Sequence, residues 1–219
     1  MDNTETKLRA IDDYIQGLFP PDDALLHALE SSEREGLPQI NVSPNEGRLL
    51  YVIALMCGAR KILEIGTLGG FSTINLARAL PAGGRLLSLE YSPKHAEVAR
   101  ANIERAGLSD VVEVRVGAAL DSLAEIERAG EGPFDLFFID ADKATYPAYL
   151  DWAIRLSRPG SVILGDNLIR RVIVPTTDDT DGQAIAQFNR RLAEDPRLES
   201  IILPIMRETV DGLGIAVVR

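Results

Sequence analysis

The hydrophobic pattern of the chain switches repeatedly between helical spacing and short unbroken apolar runs. Leu8, Ile11, Ile15 and Leu18 recur at steps of three and four, which predicts a helix over residues 4–18 with a narrow apolar stripe, ended by Pro20 and Pro21. A second helix is predicted over 22–35, carrying Leu25, Leu26 and Leu29 and closed by Gly36. Both precede the first strand, so residues 1–36 are expected to cover the ligand edge of a sheet or to meet a second copy of the chain. Ser43, Pro44 and Glu46 then supply an N-cap, a first-turn proline and a capping-box glutamate for a helix running to Cys57.

Beyond Gly58 the pattern changes. Ile62, Leu63 and Ile65 form an apolar run as short as a buried parallel strand, and Ile74, Leu76, Ala77 and Leu80 return to helical spacing. Further strands are predicted at 86–90, 111–116, 134–139 and 161–165, with helices between them at the spacing right-handed crossovers need; Ser92 and Pro93 start one that ends at Gly107. Runs 198–203 and 213–218 are separated only by a polar, glycine-containing link. No crossover helix fits there, so this pair is predicted to be an antiparallel hairpin.

Composition narrows the class. At 219 residues, with 46% hydrophobic and 26% charged side chains, one globular domain with a good-sized core is expected. A formal charge of −10, from 23 basic and 33 acidic groups, repels phosphate backbones and makes a nucleic-acid partner less expected than a small molecule. The single Cys57 fits a reducing compartment and reads as a small buried hydrophobe. No basic-then-apolar leader or membrane-length apolar run is visible, so a cytoplasmic address without a membrane is expected.

The candidate chemistry sits at two places. Between the first strand and its helix lie Gly66, Gly69 and Gly70, a turn that lets a backbone approach a ligand while the helix aims its unpaired N–H groups at the same spot. The dinucleotide fingerprint fails, because Leu68 and Phe71 stand where glycines are required. What stands is E-x-G-x-x-G-G, with Glu64 on the strand, Ser72 at the helix start, and Glu90 ending the next strand where a ribose diol is held. A ribose, a positive charge and no phosphate suit these two acids, and S-adenosylmethionine has all three properties. At the second place, FFIDADK puts Asp140, Asp142 and Lys143 past the fourth strand, and VILGDN puts Asp166 and Asn167 past the fifth. Adjacent strand tips lie about 5 Å apart. Asp140, Asp166 and Asn167 are therefore expected to converge as hard oxygen donors for Mg²⁺, Ca²⁺ or Mn²⁺. A lone Asp-Asn pair would read as turn chemistry; two acid-bearing tips plus a lysine do not. His27 and His95 read as surface residues, and Tyr146, Tyr149 and Trp152 as packing on a helix shared with Lys143.

Together these residues resemble the cation-dependent O-methyltransferases, the catechol and caffeoyl-CoA enzymes among them, within the class I S-adenosylmethionine-dependent methyltransferases. The resemblance runs from about Leu37 to the C-terminus. It implies a Rossmann-like α/β fold, with a seven-stranded, mostly parallel sheet, one antiparallel strand and helices on both faces. It also implies methyl transfer to a phenolic small molecule of the vicinal dihydroxy (catechol) type; the homodimer expected beside it rests on the apolar stripe of the N-terminal helices. Asp140, Asp166 and Asn167 match the metal positions and Lys143 the general base. Val42, Glu64, Gly66, Thr67, Ser72, Glu90, Ala119 and Asp142 match the cofactor contacts. Some relatives carry a tryptophan and an asparagine after the Asp-Asn pair; here Leu168, Ile169, Arg170 and Arg171 follow. The two arginines either grip an acidic substrate tail or form a solvated pair. A tRNA wobble-uridine O-methyltransferase and a non-catalytic or oxidoreductase nucleotide-binding domain are the alternatives. The acidic balance opposes the first. The intact Asp140, Lys143, Asp166 and Asn167 and the missing fingerprint oppose the second.

Overall fold

The computed structural model describes residues 3–174, 179–206 and 210–219. Three helices come first: α1 (Asn3–Leu18), α2 (Asp23–Arg34) and α3 (Pro44–Met56). The caps are where local chemistry put them. Asp22 accepts from the amides of Ala24 and Leu25, and at Ser43 both arms of the capping box are made, Glu46 N–H to Ser43 Oγ at 3.3 Å and Ser43 N–H to Glu46 Oε2 at 2.8 Å.

Alternating strands and helices follow. They are β1 (Lys61–Ile65), α4 (Phe71–Arg78), β2 (Arg85–Glu90), α5 (Pro93–Arg105), β3 (Val112–Val116), α6 (Ala119–Arg128), β4 (Leu136–Ile139), α7 (Tyr146–Arg155) and β5 (Val162–Gly165). A short helix α8 (Arg170–Ile173), a longer α9 (Thr180–Glu194), and β6 (Leu198–Met206) with β7 (Val210–Val218) complete the chain. Lys143 differs from expectation: it lies in a separate 3-10 turn, Lys143–Thr145, ahead of α7.

The sheet order is β3-β2-β1-β4-β5-β7-β6. The first five strands in that order are parallel, and β7 runs antiparallel to both β5 and β6, the one reversed strand expected. The hairpin strands run longer than the apolar pattern implied, with Met206 paired to Val210; the link itself, 207–209, lies outside the described residues.

Alternation along β1 builds a core on each face. Ile62 joins the layer under α3, α4 and α5, whereas Leu63 and Ile65 join the layer containing side chains of α6, α7 and α9. Each fully buried Leu or Ile of this kind contributes about 1.5–3 kcal/mol. Because both faces are covered, β1 and β4 are buried almost throughout, and every side chain that can reach a ligand is driven to the strand tips. Gly214 on β7 makes room for that edge: a Cβ there would lie 2.5 Å from Leu168 Cδ1, so the glycine admits the segment that follows β5. Among the described residues no helix is long and apolar enough to cross a membrane.

Candidate active site

A cleft of about 1460 Å³ opens along the carboxyl ends of the parallel strands. Pockets for one drug-sized ligand run to about 1,000 Å³ at most, so this one has room for two reactants side by side. One end is walled by Val42, the turn from Gly66 to Ser72, Glu90 and Ala118 to Asp121; the other by Asp140 to Lys143, Asn167, Arg170 and Arg171. Of the N-terminal segment, α2 takes the covering position through Leu29 and Ser32, while α1 leaves Tyr14 and Leu18 exposed.

The glycine turn is held from below by Glu90. Its Oε2 accepts the amides of Thr67 at 3.1 Å and Leu68 at 2.8 Å, and its Oε1 accepts Ser92 N–H at 2.9 Å. The bond to Leu68 secures a non-glycine residue at φ 49°, left-handed backbone that L side chains avoid. Gly66, at φ 98°, has no room for a side chain: a Cβ would lie 2.0 Å from the Asp140 carbonyl oxygen. His95 corrects the surface reading. One turn into α5 it returns to the tip of β2, with Nδ1 3.4 Å from Glu90 Oε1, and it lines the cleft.

Glu64, expected among the cofactor contacts, lies behind the turn. It shares the face of Ile62 and so points beneath α4, away from the cleft wall, with no exposed surface. There it accepts hydroxyl bonds from Ser72 at 2.6 Å, from Ser88 at 2.6 Å and from Thr73, and Thr67 Oγ1 adjoins Ser88 Oγ at 2.6 Å. The carboxyl therefore ties β1, β2, the turn and the start of α4 together, and Ser72 spends its hydrogen on that tie. Burial lifts the Glu64 pKa from 4.5 to about 7 against these lowering hydroxyl bonds, with the charge of Asp140 adding to the rise. The folded chain thus binds one more proton than the unfolded chain between those two values. Stability is greatest below pH 4.5 as far as this group is concerned and falls as pH rises to about 7, by on the order of 3 kcal/mol. Glu64→Gln is expected to flatten that decline in urea midpoints measured from pH 5 to 8; a parallel decline in the variant would show that Glu64 is not its source.

At the other end, β4 and β5 are in register up to Ile139 and Gly165, which leaves Asp140 and Asp166 side by side one residue further on. Asp140 and Asn167 line the cleft, whereas Asp166 is almost fully buried and accepts Asn167 N–H at 2.7 Å. Asn167 takes φ 62°, the left-handed region in which asparagine is the best tolerated residue after glycine. Lys143 Nζ lies 2.9 Å from Asp140 Oδ1 and 2.5 Å from the Tyr146 hydroxyl. Asp142 lines the cleft and accepts the Tyr149 hydroxyl, and Ala119 lines it as the first residue of α6.

The two arginines separate. Arg171 faces Asp179 at 3.6 Å and Asp181 at 3.4 Å, pairing α8 with the start of α9, whereas Arg170 has no ion pair among the described residues and lies exposed at the cleft mouth. The anchor of this segment, Asp211 on β7, was not singled out in the sequence. Its Oδ1 accepts the amides of Ile169, Arg170 and Gly212 from 42, 41 and 1 residues away, a pairing without local signature.

Six carboxylates (Glu90, Asp121, Asp140, Asp142, Asp179, Asp211) against three basic side chains (Lys143, Arg170, Arg171) line the cleft, a surplus that favours cationic ligands. Around Tyr146, burial and then the charges of Asp140, Asp166 and Asp142 push the phenol well above its ordinary range. The negative field of three acids thus meets at one point beside the β4 and β5 tips. Among the described residues no three His, Cys, Asp or Glu side chains form a metal-holding group; the expected trio has two such residues, with Asn167 as the third. All three are hard oxygen donors, the set that suits Mg²⁺, Ca²⁺ or Mn²⁺.

Comparison with known proteins agrees with this geometry. A family model described as O-methyltransferase matches residues 22–217. The catechol O-methyltransferase of Niastella koreensis is 46% identical over 214 residues, covering 96% of this chain and 97% of that protein. The catechol O-methyltransferase of Mycobacterium tuberculosis is 49% identical over 212 residues, or 95% of each. A solved O-methyltransferase from Bacillus cereus in complex with SAH has a TM-score of 0.92 at 48% identity, over 96% of this chain and 97% of its own. With its strand order, its glycine turn and its matched length all in agreement, the chain belongs to the O-methyltransferase family.

Proposed function

We propose that this S-adenosylmethionine-dependent O-methyltransferase methylates one hydroxyl of a catechol-type small molecule and requires a divalent cation. One observation carries the reading: the tips of β4 and β5, through Asp140 and Asn167, and the Lys143 amine share a single cleft with the glycine turn. Asp140, Asp166 and Asn167 are the residues to hold the cation, whose fixed positive charge, when bound, orients a vicinal diol and favours its phenolate. Lys143, beside Asp140 and facing the cleft, is the group to take the phenolic proton. The phenolate oxygen then attacks the sulfonium methyl in line. A C–O bond forms as the C–S bond breaks, sulfur keeps the electron pair, and the positive charge on sulfur is lost. No enzyme nucleophile is needed, because the phenolate is itself the nucleophile and the cleft has only to hold the two reactants in line. Glu90, Thr67, Ser72, Val42 and Ala119 line the methyl donor's end, and Glu64 acts from behind by fixing Ser72 and the turn. Asp142, held by Tyr149, stands where the two ends of the cleft meet.

Arg170 is the residue left to meet an acidic substituent, since Arg171 is committed to Asp179 and Asp181. The relatives described as catechol O-methyltransferases support the substrate class. Transfer of labelled methyl from S-adenosylmethionine with Mg²⁺ to catechol (1,2-diol), resorcinol (1,3-diol) and phenol tests the proposal. Catechol is expected to react at least about a hundredfold faster than the other two, because only adjacent oxygens share one cation. Equal rates for all three would exclude chelation as the basis of recognition.

A further inference from the structure

Tyr146 is fully buried on the first turn of α7, among Phe188 and Tyr149 at ring-centroid distances of 5.3 and 6.4 Å. Packing alone would be served by phenylalanine. The hydroxyl is instead engaged on every side: it receives Lys143 Nζ at 2.5 Å and faces the main-chain carbonyls of Ile139 at 3.1 Å and Asp166 at 3.0 Å. A phenol has one hydrogen to give. With two carbonyls competing for it, the phenol oxygen meets the lysine only as an acceptor, so the polarity of the contact is fixed.

We infer that Tyr146 is a positioning residue for Lys143, its buried hydroxyl fixing the direction in which the amine faces the cleft. The inference rests on the reading of Lys143 as general base. The terminal nitrogen has three positions beyond its carbon. Asp140 Oδ1, 2.9 Å away, and Tyr146 Oη each take an N–H at one of them. The third is left for the substrate: Lys143 lines the cleft, whereas the Tyr146 hydroxyl is buried outside its lining. Without the phenol, one N–H loses its acceptor and the amine rotates about its terminal bond, so the third position meets the substrate only part of the time. The carbonyl bonds hold the phenol itself: Ile139 directly precedes Asp140, and Asp166 ends the neighbouring tip, so hydroxyl and amine share one frame with the acids around them.

A double-mutant cycle of Tyr146→Phe and Lys143→Met tests this, with turnover counted per S-adenosylmethionine site titrated by calorimetry, so that a partly folded preparation does not imitate a slow enzyme. Tyr146→Phe is expected to lower kcat about tenfold or more, as loss of an orienting partner does, with KM for the methyl donor, KM for catechol and the Mg²⁺ concentration for half-activation each within about twofold. In the Lys143→Met background the same change is expected to alter kcat less than about twofold, because the group it orients is gone. The same proportional loss in both backgrounds overturns the inference, as does a raised Mg²⁺ requirement with kcat restored at saturation, which would mean that the phenol acts on the strand tips. Full turnover in Lys143→Met alone removes the base reading first, an outcome distinct from either.

Discussion

Asp140→Asn is expected to lower kcat for catechol methylation by about a thousandfold or more while leaving S-adenosylmethionine affinity within about threefold. The substitution keeps the shape of the side chain and removes one negative charge from the place where a dication is to be held. Asp140 is the cleaner of the two acids to change. Its one described bond is to Lys143 and its side chain lines the cleft, whereas Asp166 is buried and also accepts the Asn167 amide, so that altering it would disturb the local backbone. In the proposed arrangement the methyl donor is held by the glycine turn and Glu90 and not by the Asp140 carboxylate, which is why calorimetric binding and turnover should part company. Wild-type protein in excess EDTA should show the same loss, reversed by added Mg²⁺. Undiminished turnover in EDTA would rule out the cation, and undiminished turnover in Asp140→Asn would rule out this acid as its ligand.

The second large effect belongs to Lys143. Methionine keeps the apolar stem and removes the amine, so Lys143→Met is expected to lose about 10²–10⁴ in kcat, the usual contribution of a positioned base. KM for the methyl donor should hold. The deficit should shrink as pH rises toward a free phenol's pKa of about 10, because the substrate then loses its proton to water without help. A variant as fast as wild type at neutral pH would take the base role away from this residue. A deficit that stays constant with pH would argue that the amine holds the substrate and does not accept its proton.

Much of the architecture could be read from residues because it is local. Apolar runs at β1, β2, β3, β4 and β5, proline and serine at the starts of α3 and α5, and a link too short for a crossover before β7 each speak for themselves. Glu64 could not be read that way. On a strand buried on both faces no polar alternation marks which side a carboxyl takes, and only α4 packed over β1 reveals that it faces hydroxyls. His95 failed for a related reason, since its neighbours along α5 are solvent-facing and its partner Glu90 lies at the end of the preceding strand. Arg170 and Arg171 are alike in sequence and differ only through Asp179 and Asp181. Local chemistry thus pointed to the candidate residues, and pairing between distant segments decided what each of these side chains is available to do.

The contact between Gly66 and the Asp140 carbonyl bears on how such an enzyme can diversify. In the proposed arrangement the turn would hold the methyl donor and the strand end the acceptor, and the two meet here through main chain, so that their separation would be set by the backbone. Substitutions at the cleft mouth, Arg170 first among them, would then exchange one acceptor for another without moving the two halves of the site apart.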